Sequence, residues 1–265
     1  MIVLIIIGVA CVAGGVYIAV FQRAKSANVA LEIQAQPTKT YEEVKEALEA
    51  MQDYDPNYRE LVEFKGFASS SQEVITPYSR QKVAFYIAEN IQVSEDTEER
   101  RDSDGSRRMV TTKHEQKLSE DVSGADLIVK DNFGHEIVIE TKGVENKLDL
   151  VQSYDTLDRS NTGNPTYGRG YGVRANGTGH RIIGYKQIEK TFPLNAAMYV
   201  LGEAYMISNR IFIGPPKNTK SPFIVTTKSE EQMLKKTQGS QTTSLFGGLA
   251  LAVLGLVLFI VGVTR

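Results

Sequence analysis

Apolar residues collect at the two ends of this chain and leave a polar middle between them. Ile2 to Phe21 runs for 20 residues without a charge, and Leu245 to Val263 for another 19. At about 1.5 Å per residue each would reach about 30 Å as a helix, the hydrocarbon thickness of a bilayer. The pattern predicts a first transmembrane helix within residues 1–22, a soluble membrane-adjacent domain over 23–244 and a second transmembrane helix over 245–263. A cleaved signal peptide fits the first segment less well. Nothing basic precedes the apolar run, the run is longer than a signal core, and Arg23 and Lys25 follow it. Ala10-x-x-x-Gly14 and Gly248-x-x-x-Ala252 have the small-residue spacing that lets spans approach each other or a second copy, so a homo-oligomer through the spans is one expectation.

Between the spans the period changes several times. Thr40-Tyr-Glu-Glu43 reads as a capping box, and Val44, Ala47, Leu48 and Met51 then form one apolar face of a helix that ends near Asp55-Pro56. That face is expected to pack on the core. From Glu60 the period is two. Leu61 to Phe67 reads as a strand, Ser69 to Ser71 as a loop, Thr76-Pro77 as a turn and Lys82 to Val93 as a strand central in its sheet. Ser94 to Arg108 holds charges and no large apolar side chain, which predicts a solvated hairpin tip, with Met109 to Lys117 returning as the partner strand. Ala125–Lys130 and Glu136–Thr141 flank the turn formers Asp131-Asn-Phe-Gly134 as a second hairpin. Thr141 to Thr156 has no clear period. Strands follow at His180–Thr191, Ala197–Ile207, Arg210–Gly214 and Phe223–Thr226, and Thr227-Lys-Ser-Glu230 predicts the cap of a short helix leading into the second span. The fold class expected is α+β, mainly antiparallel β with short helices.

Ser160 to Gly179 stands apart, with six glycines in 20 residues interleaved with Tyr167, Arg169, Tyr171 and Arg174. No Lys-Ser/Thr follows the glycines and a strand rather than a helix comes next, so neither a P-loop nor a dinucleotide fold matches. The segment reads as a flexible surface insertion. If a binding site exists, those two tyrosines and two arginines are the first candidates, because aromatic and arginine side chains dominate binding energies. The Glu95–Arg108 tip is second. Asn176-Gly-Thr178 is a glycosylation sequon with meaning only in a eukaryotic secretory setting.

Charge and composition then narrow the chemistry. The middle carries 29 basic and 32 acidic residues, too neutral for an electrostatic grip on nucleic acid. The single cysteine, Cys11, lies in the first apolar run, which leaves the domain no disulfide, thiol nucleophile or cysteine-based zinc site. Asp102-Ser-Asp104-Gly lacks the later ligands of a calcium loop. His114, His135 and His180 have no metal-ligand spacing and read as surface or turn residues. No nucleophile signature is present. No cofactor or metal is expected, and an enzyme is the weaker reading. A carboxylate-based membrane-bound hydrolase and an oligomeric membrane scaffold are the alternatives to a domain that recognises a protein partner or small ligand at the membrane surface.

The order of elements resembles the GIDE family, the membrane-embedded part of the mitochondrial and chloroplast RING-type E3 ubiquitin ligases, whose intervening region is the BAM ("beside a membrane") domain. The runs that carry the likeness are Val62-Glu-Phe-Lys-Gly66, Thr76-Pro77 with Val83-Ala-Phe-Tyr86, Asp126-Leu-Ile-Val and Pro193. Tyr199-Val-Leu-Gly202-Glu-Ala204, Phe223-Ile-Val-Thr and Lys228-Ser-Glu-Glu231 complete them. The resemblance implies a two-pass membrane protein whose domain recognises clients for the ligase. A RING needs about eight Cys and His ligands for two zinc ions. With one cysteine and its last residue at Arg265, the chain is expected to be a RING-less, prokaryotic member of the plasma membrane. Charge balance (Arg23, Lys25, Lys235 and Lys236 against the N-terminus and Arg265) places the domain in the cytoplasm, whereas the family analogy places it outside.

Deleting Asn161 to Gly179 is expected to leave the domain folded. Loss of its cooperative thermal transition would show that the segment is structural.

Overall fold

Thr40 begins a helix of the polar middle as its side chain predicts: Glu43 N–H donates to Thr40 Oγ1 at 3.3 Å, and Thr40 N–H donates to Glu43 Oε2 at 2.7 Å. A computed structural model of the protein describes residues 2–17, 19–20, 31, 35–103, 105–160, 179–218 and 221–264. Its helices are α1 (Ile2–Tyr17), α2 (Tyr41–Gln52) and α3 (Glu230–Thr264). Its strands are β1 (Glu60–Ser70), β2 (Val74–Ile75), β3 (Lys82–Arg101), β4 (Arg107–Val122), β5 (Leu127–Lys130) and β6 (Glu136–Ile139). After them come β7 (Leu148–Asp149), β8 (Val151–Asp158), β9 (Gly179–Pro193), β10 (Ala197–Ile207), β11 (Arg210–Gly214) and β12 (Ile224–Thr226). The fold is α+β with mostly antiparallel pairing. The chain divides into two units, one of Met1–Gly66, Asp131–Glu140 and Ala197–Arg265, the other of Phe67–Lys130 and Thr141–Ala196.

In the first unit β12, β10 and β11 pair antiparallel, and β6 joins β11 in parallel. Ser208 and Asn209 hold φ of +48° and +62° between β10 and β11, a tight hairpin turn that matches strand twist. α2 packs on β10 with Val44 and Leu48 buried. Tyr199, Leu201 and Met233 form a core cluster that Leu61, Ile224 and Leu234 cover. Gly202 is required there, since a Cβ would stand 2.7 Å from Gly214 O.

Ser229 rather than Thr227 caps α3: Gln232 N–H donates to Ser229 Oγ at 3.3 Å, and Ser229 N–H donates to Gln232 Oε1 at 3.2 Å. The expected short helix and the second apolar run are one continuous helix of 35 residues. Within it Phe246–Val263 is long and apolar enough to cross a bilayer. In α1 the apolar stretch is shorter, Ile5–Tyr17, and Ile18 and Phe21 lie outside the described residues.

The two apolar helices pack against each other through glycines seven residues apart. A Cβ on Gly8 would meet Gly255 O at 2.7 Å, and one on Gly15 would meet Gly248 O at 2.5 Å. Gly248 and Ala252 face α1, as their spacing predicts. On α1, however, the contact falls on Gly8 and Gly15, whereas a Cβ on Gly14 would reach only Leu251, at 3.7 Å.

The second unit is built on the 20-residue strand β3, which pairs antiparallel with β9 on one side and with β2 and then β4 on the other; β8 extends the sheet beyond β9. Here two expectations are corrected. β1 continues to Ser70, pairing Ser69 with Ile128 and Ser70 with Leu127, so the serines are strand and not loop. Ser94 to Arg101 is likewise strand, the outer part of β3, and β4 takes over at Arg107. Polar and charged side chains replace apolar burial along this ribbon. Acidic residues of β3 face basic residues of both neighbours: Arg181 pairs with Glu95, His180 Nδ1 lies 2.6 Å from Asp96, and Lys117 and Lys190 approach Glu89 at 3.5 and 3.6 Å. Thr141 to Thr156 resolves into a single turn of 3-10 helix at Glu145–Lys147, then β7 and most of β8.

Gly15→Leu is expected to lower the melting temperature of the detergent-solubilised chain by several degrees by wedging α1 from α3, and Gly14→Leu to have much less effect. Equal effects would show that the tight backbone contact is not what holds the pair.

Candidate functional site

Glu63 and Lys65 are two apart on β1, so both side chains project from one face of the strand. That face is closed by the residues preceding α2, by β10 and by the first turn of α3. Thr38 bridges to Glu63 in parallel, and Lys39 N–H donates to Glu63 O at 2.9 Å. Glu63 is almost fully buried, at 1% exposure, which a carboxylate tolerates only with partners for both oxygens. It has them. Lys65 Nζ lies 2.9 Å from Glu63 Oε1, Thr38 Oγ1 donates to the same oxygen, and Tyr199 OH donates to Oε2 at 2.7 Å.

Lys65 extends the network outward. Its ammonium also pairs with Glu230 Oε2 at 3.0 Å, donates to Thr38 Oγ1 at 3.1 Å and lies 5.6 Å from the centre of the Tyr199 ring. Burial works to lower the Lys65 pKa, but hydrogen bonds to Glu63 and Glu230 outweigh it, so the amine holds its proton above the usual lysine range. Burial, and then the hydrogen bond to Glu63, raises the Tyr199 phenol far above its ordinary value. Both groups are therefore fixed in one protonation state at neutral pH.

Beside this network opens a cavity of about 470 Å³, lined among others by Lys65, Met198, Tyr199, Lys228, Glu230 and Glu231. It lies at the start of α3, the helix that carries the membrane-length apolar stretch. A cavity of this size, lined by apolar surface and by charges of both signs, takes one or two side chains of a peptide or a small molecule.

The remaining candidates fall elsewhere. Tyr167, Arg169, Tyr171 and Arg174 lie outside the described residues, as do Asn176 to Thr178 and Asp104. His135 stacks on Tyr41 with ring centres 4.6 Å apart, and its Nδ1 is 2.8 Å from Asp131 Oδ2. Burial acts to raise the Asp131 pKa, and the hydrogen bonds from His135 and Phe133 reverse this and lower it, as suits a carboxylate that organises the turn before β6. His114 Nε2 and His180 Nδ1 flank Asp96 at 3.1 and 2.6 Å on the ribbon. Among the described residues no three His, Cys, Asp or Glu side chains are grouped to hold a metal ion. The other fully buried carboxylate, Glu189, is consumed by a turn: Tyr78 N–H, Ser79 N–H and Ser79 Oγ–H all donate to it. Neither buried carboxylate keeps an oxygen free to act as a general base.

Comparison with known proteins gives one positive result. The GIDE family, described as E3 ubiquitin ligase, matches residues 95–259, well over half of the chain. No curated protein and no solved structure matches it. Tyr199 and Glu230 lie inside the matched region, and Glu63 and Lys65 precede it.

Lys65→Met is expected to cost about 1–3 kcal/mol of stability by stripping a buried carboxylate of its counter-charge, with Lys65→Arg recovering most of the loss. Chemical denaturation measures both. Alkali should act in the same direction. The pKa values of Lys65 and Tyr199 are raised on folding, so their contribution is complete below the unfolded tyrosine value of 10.0 and is lost as the pH climbs above it.

Proposed function

The chain belongs to the GIDE family, and from that premise we propose that it is a two-pass membrane protein whose membrane-adjacent part recognises a protein partner at the bilayer surface, without catalysis of its own. One observation carries this reading. Three of the sequence runs that carry the family resemblance, around Glu63–Lys65, Tyr199 and Glu230, come from distant parts of the chain and meet in one charged network beside one cavity. The cavity opens at the foot of the helix holding the membrane-length stretch, where a segment of a membrane-bound client would pass.

The glycine contact between α1 and α3 supports two crossings. A helix whose backbone lies against a bilayer-crossing helix over Gly8 to Gly15 shares its surroundings, and close small-residue packing is the means by which helices associate where lipid removes the hydrophobic drive. Ubiquitin transfer is not assigned to these residues. One cysteine and three histidines cannot supply the ligands of a RING. The hydrolase alternative finds no support in Glu63 or Glu189, whose oxygens are all engaged.

The test is a photo-crosslinking residue at Lys228 in the full-length chain, in native membranes, read by mass spectrometry. A discrete partner whose yield drops in a Lys65→Glu background is expected, and its compartment would report which side the domain faces. Labelling indifferent to Lys65→Glu, or confined to lipid, would defeat the proposal.

A further inference from the structure

β4 is a 16-residue strand with 14 positions exposed, and among the described residues it pairs with β3 alone. Its other edge presents a row of free backbone donors and acceptors. Long edges of this kind invite pairing with another chain, and proteins guard them with charged side chains, bulges or proline. β4 carries no proline and one bulge: Ser119 faces Asn90 and Lys117 faces Ile91, which leaves Leu118 as the extra residue. Its charges are not of one sign. Arg107, Arg108 and Lys113 stand towards the start, and Glu115, Glu120 and Asp121 towards the end, with Lys117 the one base among them.

That distribution is self-complementary about one point. We infer that the free edge of β4 is a self-association surface, on which a second copy of this chain pairs antiparallel with His114 on the two-fold axis. In this register Lys113 faces Glu115 of the second copy, and by symmetry Glu115 faces its Lys113. Within the same ladder Thr112 faces Gln116 and Thr111 faces Lys117. The uninterrupted ladder covers Thr111 to Lys117, and the bulge at Leu118 ends it. Pairing about a residue's own two-fold sets each position against one of the same parity, so the backbone groups that point away from β3 meet one another.

Neighbouring registers fail. A slip one way sets Lys113 against Lys113, and a slip the other way sets Glu115 against Glu115. Like charges directly opposite are destabilising, and parallel in-register pairing would oppose every charge to itself. An isologous contact requires self-complementarity of this kind. Lys113 and Glu115 are exposed and make no ion pair among the described residues, so both are available.

The experiment is a charge swap in the full-length chain in detergent, with the dimerisation constant read by sedimentation. Lys113→Glu and Glu115→Lys each turn two attractive contacts per dimer into repulsive ones, and each is expected to weaken association about tenfold or more. The double variant Lys113→Glu/Glu115→Lys restores opposite charges and should restore the dimer, which also shows that the single variants fold. Register is read independently by disulfide trapping in a Cys11→Ser background. His114→Cys places its two copies within disulfide reach, whereas Thr112→Cys sets them four residues out of register, roughly 13 Å apart. A wild-type chain that is monomeric at every concentration, a dimer indifferent to both single reversals, or equal trapping at 112 and 114 would each overturn the inference.

Discussion

The buried carboxylate of Glu63 is the constraint around which the first unit is arranged. A charge at 1% exposure is tolerated only if its neighbours neutralise and hydrogen-bond it, and the neighbours come from four places in the chain: Thr38 ahead of α2, Lys65 on β1, Tyr199 on β10 and, through Lys65, Glu230 on α3. Replacing such a network with apolar side chains often leaves stability unchanged or higher, so its presence is better explained by what it specifies. It specifies position. The first turn of α3 is tied to the strand that carries Lys65, and the same helix runs on for 35 residues through the membrane-length stretch.

The second unit solves a different problem with the same currency. β3 outruns its apolar core soon after Val93, and from there its partners are mostly polar or charged. Glu95 and Asp96 lie between β4 and β9, and each finds a base on β9 at its own register position, Arg181 and His180. Individually such exposed pairs are worth little. On the β9 side they stand at matched register positions, and there they favour the observed pairing.

Much of this was legible in the sequence and some was not, for physical reasons. The capping box at Thr40, the central place of Lys82–Val93 and the turn at Ser208-Asn209 are local signals, and each is realised. Ser94 to Arg108 misleads because absence of apolar residues is the usual mark of a loop; the cue to a strand lay instead in cross-strand charge, which requires the register to be known first. Glu63 was equally hidden. In Val62-Glu-Phe-Lys the alternation suggests an outward-facing carboxylate, and only Tyr199, 136 residues away, shows that the face is covered. The opposite charges at positions 63 and 65, neighbours on one strand face, were the available hint.

The small-residue spacing selects the contact on α3, where Gly248 and Ala252 face α1, and misses it on α1. Small residues four apart mark a common close-packing face, which directs attention to Ala10 and Gly14. The contact instead uses Gly8 and Gly15 against Gly255 and Gly248, each pair seven apart and matched in antiparallel order. Seven residues is nearly two turns, so a seven-residue repeat keeps one stripe facing the partner over a longer stretch than a four-residue motif does. Each glycine admits a backbone carbonyl from the facing helix at a distance that any Cβ would close, so the contact is made of backbone and leaves larger apolar residues such as Ile6, Leu249 and Val253 exposed on the outside. Helices packed in this way present an apolar exterior and a small-residue interior, the inverse of a soluble hairpin and the arrangement that lipid as a solvent favours.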